Sequence, residues 1–272
     1  MDFYKIRTGY LCNNNCIFCY YKKKHNKCSD DIEKELLKIK KKTKNISFCG
    51  GEVTIRKDFF ELIKCANKLE FKNIRIETNS RIFASIEFCK KTIDSGATEF
   101  LVSLHGFCSE QHDFLTKTQK SFSQTIKGIK NLINLEQKVS ANIVITKPNY
   151  RNLSKIISLL DTLKIKKINL EFVNPLEDAL ENFEQVVPHY KIAAPYISKA
   201  IDKGIEKNIK VALSSVPFCI LPGYEEHIKN NNFEGKSAKF KKCRTCQFEN
   251  KCSGVSDKYI EKLGKREFGP LK

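Results

Sequence analysis

No stretch of this 272-residue chain is long and apolar enough to span a bilayer. Its first residues, MDFYKIRTGYLC, lack the basic-then-apolar order of a secretory leader. A cytoplasmic protein with no membrane partner is therefore expected. Arginine is scarce, with only seven among the 49 basic residues. The formal net charge of +18 would attract polyanions. Lysines scattered through Ile- and Asn-rich sequence nevertheless read as compositional bias, whereas arginine forks would be the sharper sign of phosphate or guanine reading. Nucleic acid is thus a possible partner, not the favoured one. No internal repeat is present, and no segment is simple enough to be disordered. Cysteine, in contrast, is abundant: twelve residues, many for a reducing compartment, where clustered thiols bind metal more often than they pair.

The length and a 41% hydrophobic content suit one sizeable core with a small appended module. Strand-like runs at 3–11, 46–49, 73–77, 99–104, 141–145 and 168–173 alternate with segments of helical periodicity. Leu153, Ile156, Ile157, Leu160 and Leu163 fall on one helical stripe, as do Phe122, Ile126, Ile129, Leu132 and Ile133 after a cap at Ser121. Further helices are expected at 31–44, 58–69 and 82–94. Six β/α units predict an α/β fold, a partial (β/α)6 TIM-type barrel working at the C-terminal ends of its strands. A flat doubly wound sheet is the alternative. Beyond Pro188 come one more helix, a possible strand at 210–213 and a Lys/Asn/Gly-rich stretch leading into a cysteine cluster. The boundary is expected near 210, giving a core at 1–210 and a cysteine-rich module at 211–272.

Cys12-Asn-Asn-Asn-Cys16-Ile-Phe-Cys19 follows the first expected strand directly. Three thiolates on a cubane leave one iron open to chelate a small molecule, whereas four protein ligands would close it. A zinc site is the competing reading, with His25 or Cys28 as a fourth ligand, and buried free thiols are another. Cys28 otherwise reads as a surface thiol. At the end of the second strand stands Cys49-Gly50-Gly51-Glu52-Val53-Thr54. Adjacent glycines permit close backbone approach, and the carboxylate can accept from an ammonium group. Polar residues also end the later strands: Asn79, then Ser103 with His105, and Asn142. Each reads equally as a turn former or a buried hydrogen-bond partner. His105 and His112 are candidate proton carriers facing substrate. Cys65, Cys89 and Cys108 lack ligand spacing and read as core or surface residues.

The CxxxCxxC spacing after the first strand, with Phe18 before its third cysteine, resembles the radical S-adenosylmethionine superfamily. Gly50-Gly51-Glu52 looks like the superfamily's GGE motif, with Val53 where proline is more frequent. The resemblance implies a [4Fe–4S] cluster with an open iron on Cys12, Cys16 and Cys19. It implies S-adenosylmethionine as cofactor, its methionyl amino group on Gly50, Gly51 and Glu52 and its adenine near Phe18. Ser103 and Asn142 would reach its ribose or carboxylate, with Asn79 supporting the pocket. A reductase such as flavodoxin or ferredoxin is the implied electron donor.

Near the C-terminus, Cys243-Arg-Thr-Cys246 and Cys252 follow an isolated Cys219. Four thiolates suit a structural zinc and an iron–sulfur cluster equally. The arrangement, followed by Gly254 and Tyr259, resembles the Twitch and SPASM extensions of radical S-adenosylmethionine enzymes, which implies one auxiliary [4Fe–4S] cluster on Cys219, Cys243, Cys246 and Cys252. The implied activity is reductive cleavage of the cofactor to a 5′-deoxyadenosyl radical. That radical would take hydrogen from a peptide or protein side chain or a small metabolite, in an oxidation or crosslinking. RNA-base modification is one alternative, and a non-enzymatic iron–sulfur scaffold or redox carrier is another; the GGE turn argues against the last.

Overall fold

The computed structural model describes residues 2–21, 26–229 and 235–272. β1 (Tyr4–Gly9), α1 (Ser29–Ile39), β2 (Asn45–Gly50), α2 (Phe59–Lys68), β3 (Asn73–Thr78), α3 (Ile86–Asp94) and β4 (Glu99–Ser103) alternate strictly. Two helices, α4 (Ser109–Thr116) and α5 (Ser121–Asn134), lead to β5 (Lys138–Ile145), α6 (Leu153–Thr162) and β6 (Lys167–Phe172). The chain continues through short α7 (Asp178–Glu181) and α8 (Phe183–Val186), then α9 (Tyr190–Glu206) and β7 (Lys210–Ser214). A two-residue pair, β8 (Ser237–Ala238) and β9 (Val255–Ser256), precedes α10 (Asp257–Leu263).

β1 to β7 form one seven-stranded parallel sheet in sequence order. That order has no reversal, which distinguishes the partial-barrel class from a doubly wound sheet. The possible strand near 210 is a full member: Lys210 to Ser214 pair in register with Lys167 to Glu171. One face of each strand is apolar and covered, with Ile6, Ile46, Ile76, Val102, Ile143, Leu170 and Leu213 all fully buried. Helical stripes supply the other half of the core. Leu153, Ile156, Ile157 and Leu160 of α6 are completely buried, and α6 packs on α9. Most of the opposite strand positions are polar, with Leu101, Val144 and Ala212 among the exceptions.

Local expectations change at several points: the helix expected at 31–44 runs Ser29–Ile39. The 82–94 helix is split: residues 82–84 form a 3₁₀ turn, and Ser85 then caps α3 by accepting the Phe88 N–H (3.3 Å). Ser121 does not cap α5. Its hydroxyl lies against Thr116 Oγ1 (2.7 Å) and Asp113 Oδ1 (3.1 Å), and it is Asp113 that accepts the Phe122 N–H (2.7 Å). Sequence spacing finds caps adjacent to their helix; this one comes from the preceding helix.

Packing divides the chain into two compact units that interleave in sequence. The first comprises Met1–Asn15, Tyr21–Leu104 and His112–Ala141. Its core includes Phe83, edge-on to Phe88 (5.4 Å) and Phe100 (5.3 Å). On its polar strand face, Ser47 donates to Glu77 (2.8 Å) and Arg75 pairs with Glu99 (3.0 Å). The second comprises Cys16–Tyr20, His105–Gln111 and Asn142–Lys272. There Tyr190 stacks on Phe172 (3.8 Å) and meets Tyr259 (4.7 Å), whose hydroxyl donates to Glu267 (2.5 Å). Glu267 also accepts the Lys191 N–H (2.8 Å), tying the C-terminal segment to α9.

Candidate active site

In the first unit, the loop entering Cys12 is joined to the Gly50-Gly51-Glu52 turn by backbone hydrogen bonds. Gly51 N–H donates to Gly9 O (2.8 Å), and Glu52 N–H donates to Leu11 O (2.8 Å). A Cβ on Gly51 would stand 2.1 Å from Leu11 O, and one on Gly50, whose φ is +133°, 2.2 Å from Gly9 O. The two glycines therefore allow the chain to approach itself. Glu52 is buried, with Oε1 accepting from Thr54 Oγ1 (2.6 Å), Thr54 N–H (3.3 Å) and Thr78 Oγ1 (2.7 Å), while Oε2 accepts the Asn79 N–H (2.6 Å). Burial pushes its carboxyl pKa up, and these hydrogen bonds pull against that shift.

Asn79 extends the connection. Its Nδ2 donates to Asn13 Oδ1 (2.6 Å) and reaches Cys12 Sγ (3.9 Å). Asn14 N–H also points at Cys12 Sγ (3.4 Å), and Cys12 is exposed. Ser103 is half-buried at the last position of β4. His112 is buried on α4 against Phe122 (5.8 Å), and burial pulls its pKa down to about 4, leaving a neutral imidazole at neutral pH. Of the remaining thiols, Cys49 and Cys89 are buried and pushed up to about 12 and 11. Cys28 is exposed at the N-cap of α1; His25 lies outside the described residues.

The second unit holds Cys16 and Cys19, both half-buried. Cys19 N–H donates to Cys16 O (3.2 Å) in a tight turn, and the segment docks on α7 through Asp178 N–H to Cys19 O (3.1 Å) and Asn182 Nδ2 to Ile17 O (3.1 Å). Phe18 is buried edge-on to His105 (4.8 Å). His105 Nδ1 accepts the Val144 N–H (3.2 Å), which makes Nε2 the protonated nitrogen of a neutral ring. Asn149, fully buried, donates to His105 O (2.9 Å) and Val144 O (2.8 Å). Asn142 belongs to a polar ladder across three strands: Ser214 Oγ to Asn169 Oδ1 (2.7 Å), Asn169 Nδ2 to Asn142 Oδ1 (2.7 Å), and Asn142 Nδ2 to Glu171 Oε2 (3.3 Å).

Also within the second unit, Cys219, Cys243, Cys246 and Cys252 line one cavity, whose wall includes Phe218 and Phe268. Phe218 stacks on Phe248 (4.5 Å, 5° between planes). Phe240 N–H donates to Cys243 Sγ (3.4 Å) and Gly254 N–H to Cys252 Sγ (3.4 Å). Burial pushes the Cys219 thiol up; a Gly269 backbone hydrogen bond opposes that, and the charges of Cys252, Cys243 and Cys246 add to it. Four thiols crowded this way repel one another once ionised, which a bound cationic centre relieves. Among the described residues, no group of three or more His, Cys, Asp or Glu side chains converges tightly enough to hold a single metal ion.

A family model described as the Radical SAM superfamily matches residues 6–162, taking in both the cysteine motif and the Gly-Gly-Glu turn. The chain belongs to the radical SAM superfamily. It is accordingly an enzyme of a family that uses a [4Fe–4S] cluster and S-adenosylmethionine. Curated relatives named probable GTP 3′,8-cyclase include one from Saccharolobus islandicus, 25% identical over 178 residues, covering 63% of this chain and 57% of the relative. Another, from Metallosphaera sedula, is 23% identical over 179 residues, covering 63% and 56%. The chain thus spans less than two thirds of these relatives' length. Among solved radical SAM folds, Streptococcus suis SuiB bound to S-adenosylmethionine superposes with a TM-score of 0.70 at 15% identity, over 98% of this chain and 76% of SuiB. The enzyme anSMEcpe with bound AdoMet and a Cp18Cys peptide gives 0.68 at 14% identity, over 98% and 91%. At such identities the likeness is one of fold, the partial TIM barrel.

The donor sets suit the family's cofactors. Cys12, Cys16 and Cys19 are cysteines spaced within one short loop, and backbone or amide N–H groups face Cys12 as they do Cys243 and Cys252. Sequence reading missed Asn13, Asn14, Thr78 and Arg81, which bond to or within the motif segments, and Asn149, which holds the His105 backbone. Only the clustering of Asn and Thr at strand ends hinted at them.

Proposed function

We propose that this radical SAM enzyme holds a [4Fe–4S] cluster with one open iron on Cys12, Cys16 and Cys19, and binds S-adenosylmethionine at the Gly50-Gly51-Glu52 turn. Its substrate is a peptide or protein side chain, or a small metabolite, which it oxidises or crosslinks. The observation that carries this is the backbone junction of the two motifs, Gly51 to Gly9 and Glu52 to Leu11. When bound, the cluster supplies the electron that cleaves S-adenosylmethionine to methionine and a 5′-deoxyadenosyl radical, which takes hydrogen from substrate.

The chain's own residues bind and orient. Glu52, held by Thr54, Thr78 and Asn79, presents a fixed carboxylate for the methionyl ammonium group. Phe18 offers an aromatic surface for the adenine, with Asn79, Ser103 and Asn142 as polar partners. His105, or less directly the buried His112, serves as the proton carrier where the reaction needs one. Cys219, Cys243, Cys246 and Cys252 hold an auxiliary [4Fe–4S] cluster in a Twitch/SPASM-like module at 211–272, and a flavodoxin or ferredoxin supplies electrons. A second reading, a purine nucleotide as substrate, draws on the relatives named as GTP 3′,8-cyclases. RNA-base modification would require salt-dependent RNA binding to the +18 chain.

Iron analysis after anaerobic reconstitution tests the assignment. About eight irons per chain are expected for two cubanes, with about half lost on Cys12→Ala/Cys16→Ala/Cys19→Ala. A triple variant that keeps all its iron would refute it.

A further inference from the structure

Arg81 follows Asn79 and Ser80 just beyond β3, half-buried in the first unit. Its Nε donates to Gln124 Oε1 on α5 (2.6 Å), and its Nη1 donates to Asn14 Oδ1 (2.9 Å) and to the Asn13 carbonyl. Asn13 and Asn14 are the two residues immediately after Cys12. Asn14 directs its own N–H at Cys12 Sγ (3.4 Å), and Asn79 reaches the same sulfur while holding Asn13. The residue touching the sulfur is therefore the residue that Arg81 grips. All three acceptors of the guanidinium are neutral, so these bonds leave its positive charge uncancelled.

A planar guanidinium can brace a loop at two points and stays charged at any pH the protein tolerates. Half-buried, its field is screened less than that of the many exposed lysines. One-electron reduction of a cluster adds a negative charge to it. A fixed neighbouring cation stabilises the reduced form more than the oxidised one, and nearby charge and hydrogen bonds to sulfur are levers on cluster potential.

We infer that Arg81 is a positioning residue for the N-terminal cluster: it braces residues 13 and 14 and, by holding a positive charge beside Cys12, raises the cluster's reduction potential. The inference rests on the proposed assignment of Cys12, Cys16 and Cys19 as ligands.

The test is an EPR-monitored redox titration of the anaerobically reconstituted full chain, with iron analysis, following the cluster whose signal changes when S-adenosylmethionine is added. Wild type, Arg81→Lys, Arg81→Gln and the Cys12/Cys16/Cys19 triple-alanine variant are compared. The expected result is a responsive signal absent from the triple variant, a more negative midpoint in Arg81→Gln, and a midpoint near wild type in Arg81→Lys, which keeps the charge. Iron retained by the lysine variant and lost by the glutamine variant also supports the role of charge. A wild-type midpoint in Arg81→Gln overturns the inference while the ligand assignment stands. A responsive signal persisting in the triple variant overturns the assignment, and the inference with it. Loss of the cluster from both Arg81 variants overturns the electrostatic role and reduces Arg81 to a brace.

Discussion

The Gly51 backbone has no room for a methyl group, since a Cβ would fall 2.1 Å from Leu11 O. Gly51→Ala must therefore push the loop entering Cys12 away from the Glu52 turn. A destabilisation of about 1–3 kcal/mol is expected from the overpacking, measurable by urea denaturation, together with weaker S-adenosylmethionine binding; an unchanged midpoint would show that the loop yields freely. Glu52→Gln places an amide among groups that all donate, leaving buried donors unpaired at a cost of about 1–3 kcal/mol. The pH dependence has a sign. Because the folded pKa of Glu52 is raised, its titration favours the folded state fully below the unfolded carboxyl's range, and that contribution is lost as pH rises through the folded value. The wild-type advantage over Glu52→Gln should accordingly shrink with rising pH. His112 behaves oppositely: its pKa falls from an ordinary 6.5 to about 4, so its stabilisation is present above 6.5 and lost as pH falls through about 4. His112→Phe should flatten that part of the acid-unfolding curve, whereas an unaltered curve would place the acid sensitivity elsewhere.

At the scale of elements, α5 depends on a residue outside it. Asp113→Ala removes the acceptor for Phe122 N–H and the partner of Ser121, and should cost roughly 0.5–2 kcal/mol, as lost caps do. Stability indistinguishable from wild type would mean that the cap is redundant. In α6, Leu160→Ala opens a cavity in a fully buried stripe and should cost about 2–5 kcal/mol. That stripe was legible in sequence because a 3.6-residue repeat of Leu and Ile leaves a helix one way to bury its apolar face. The start of α3 was not. Ile82 and Phe83 continue an apolar pattern although the backbone there is 3₁₀, and only Ser85 marks the true cap. The Asp113 cap was hidden for a different reason: it spans a turn between two helices, which no local pattern encodes.

For the whole molecule, strand order was readable from the alternation of strands and helices, and the family from two motifs. Cys12, Cys16 and Cys19 are fixed in mutual spacing by the chain itself, so sequence alone could group them. Arg81 and Asn149 could not be grouped in that way, because Asn149 lies 44 residues along the chain from His105 and Arg81 lies 67 from Asn14. Cys219, Cys243, Cys246 and Cys252 could be grouped by their sequence spacing, and the fold adds that all four line a single cavity. The substrate is not encoded in either motif. The Ser214–Asn169–Asn142–Glu171 ladder likewise emerges only once neighbouring strands are in register.

Radical chemistry at Cys12, Cys16 and Cys19 is read out by cofactor cleavage: anaerobic incubation of the reconstituted, dithionite-reduced protein with S-adenosylmethionine, followed by chromatography for 5′-deoxyadenosine. The wild type is expected to yield 5′-deoxyadenosine and the Cys12→Ala/Cys16→Ala/Cys19→Ala variant none. Equal amounts from both, or neither binding nor cleavage by wild-type protein carrying its full iron, would contradict it.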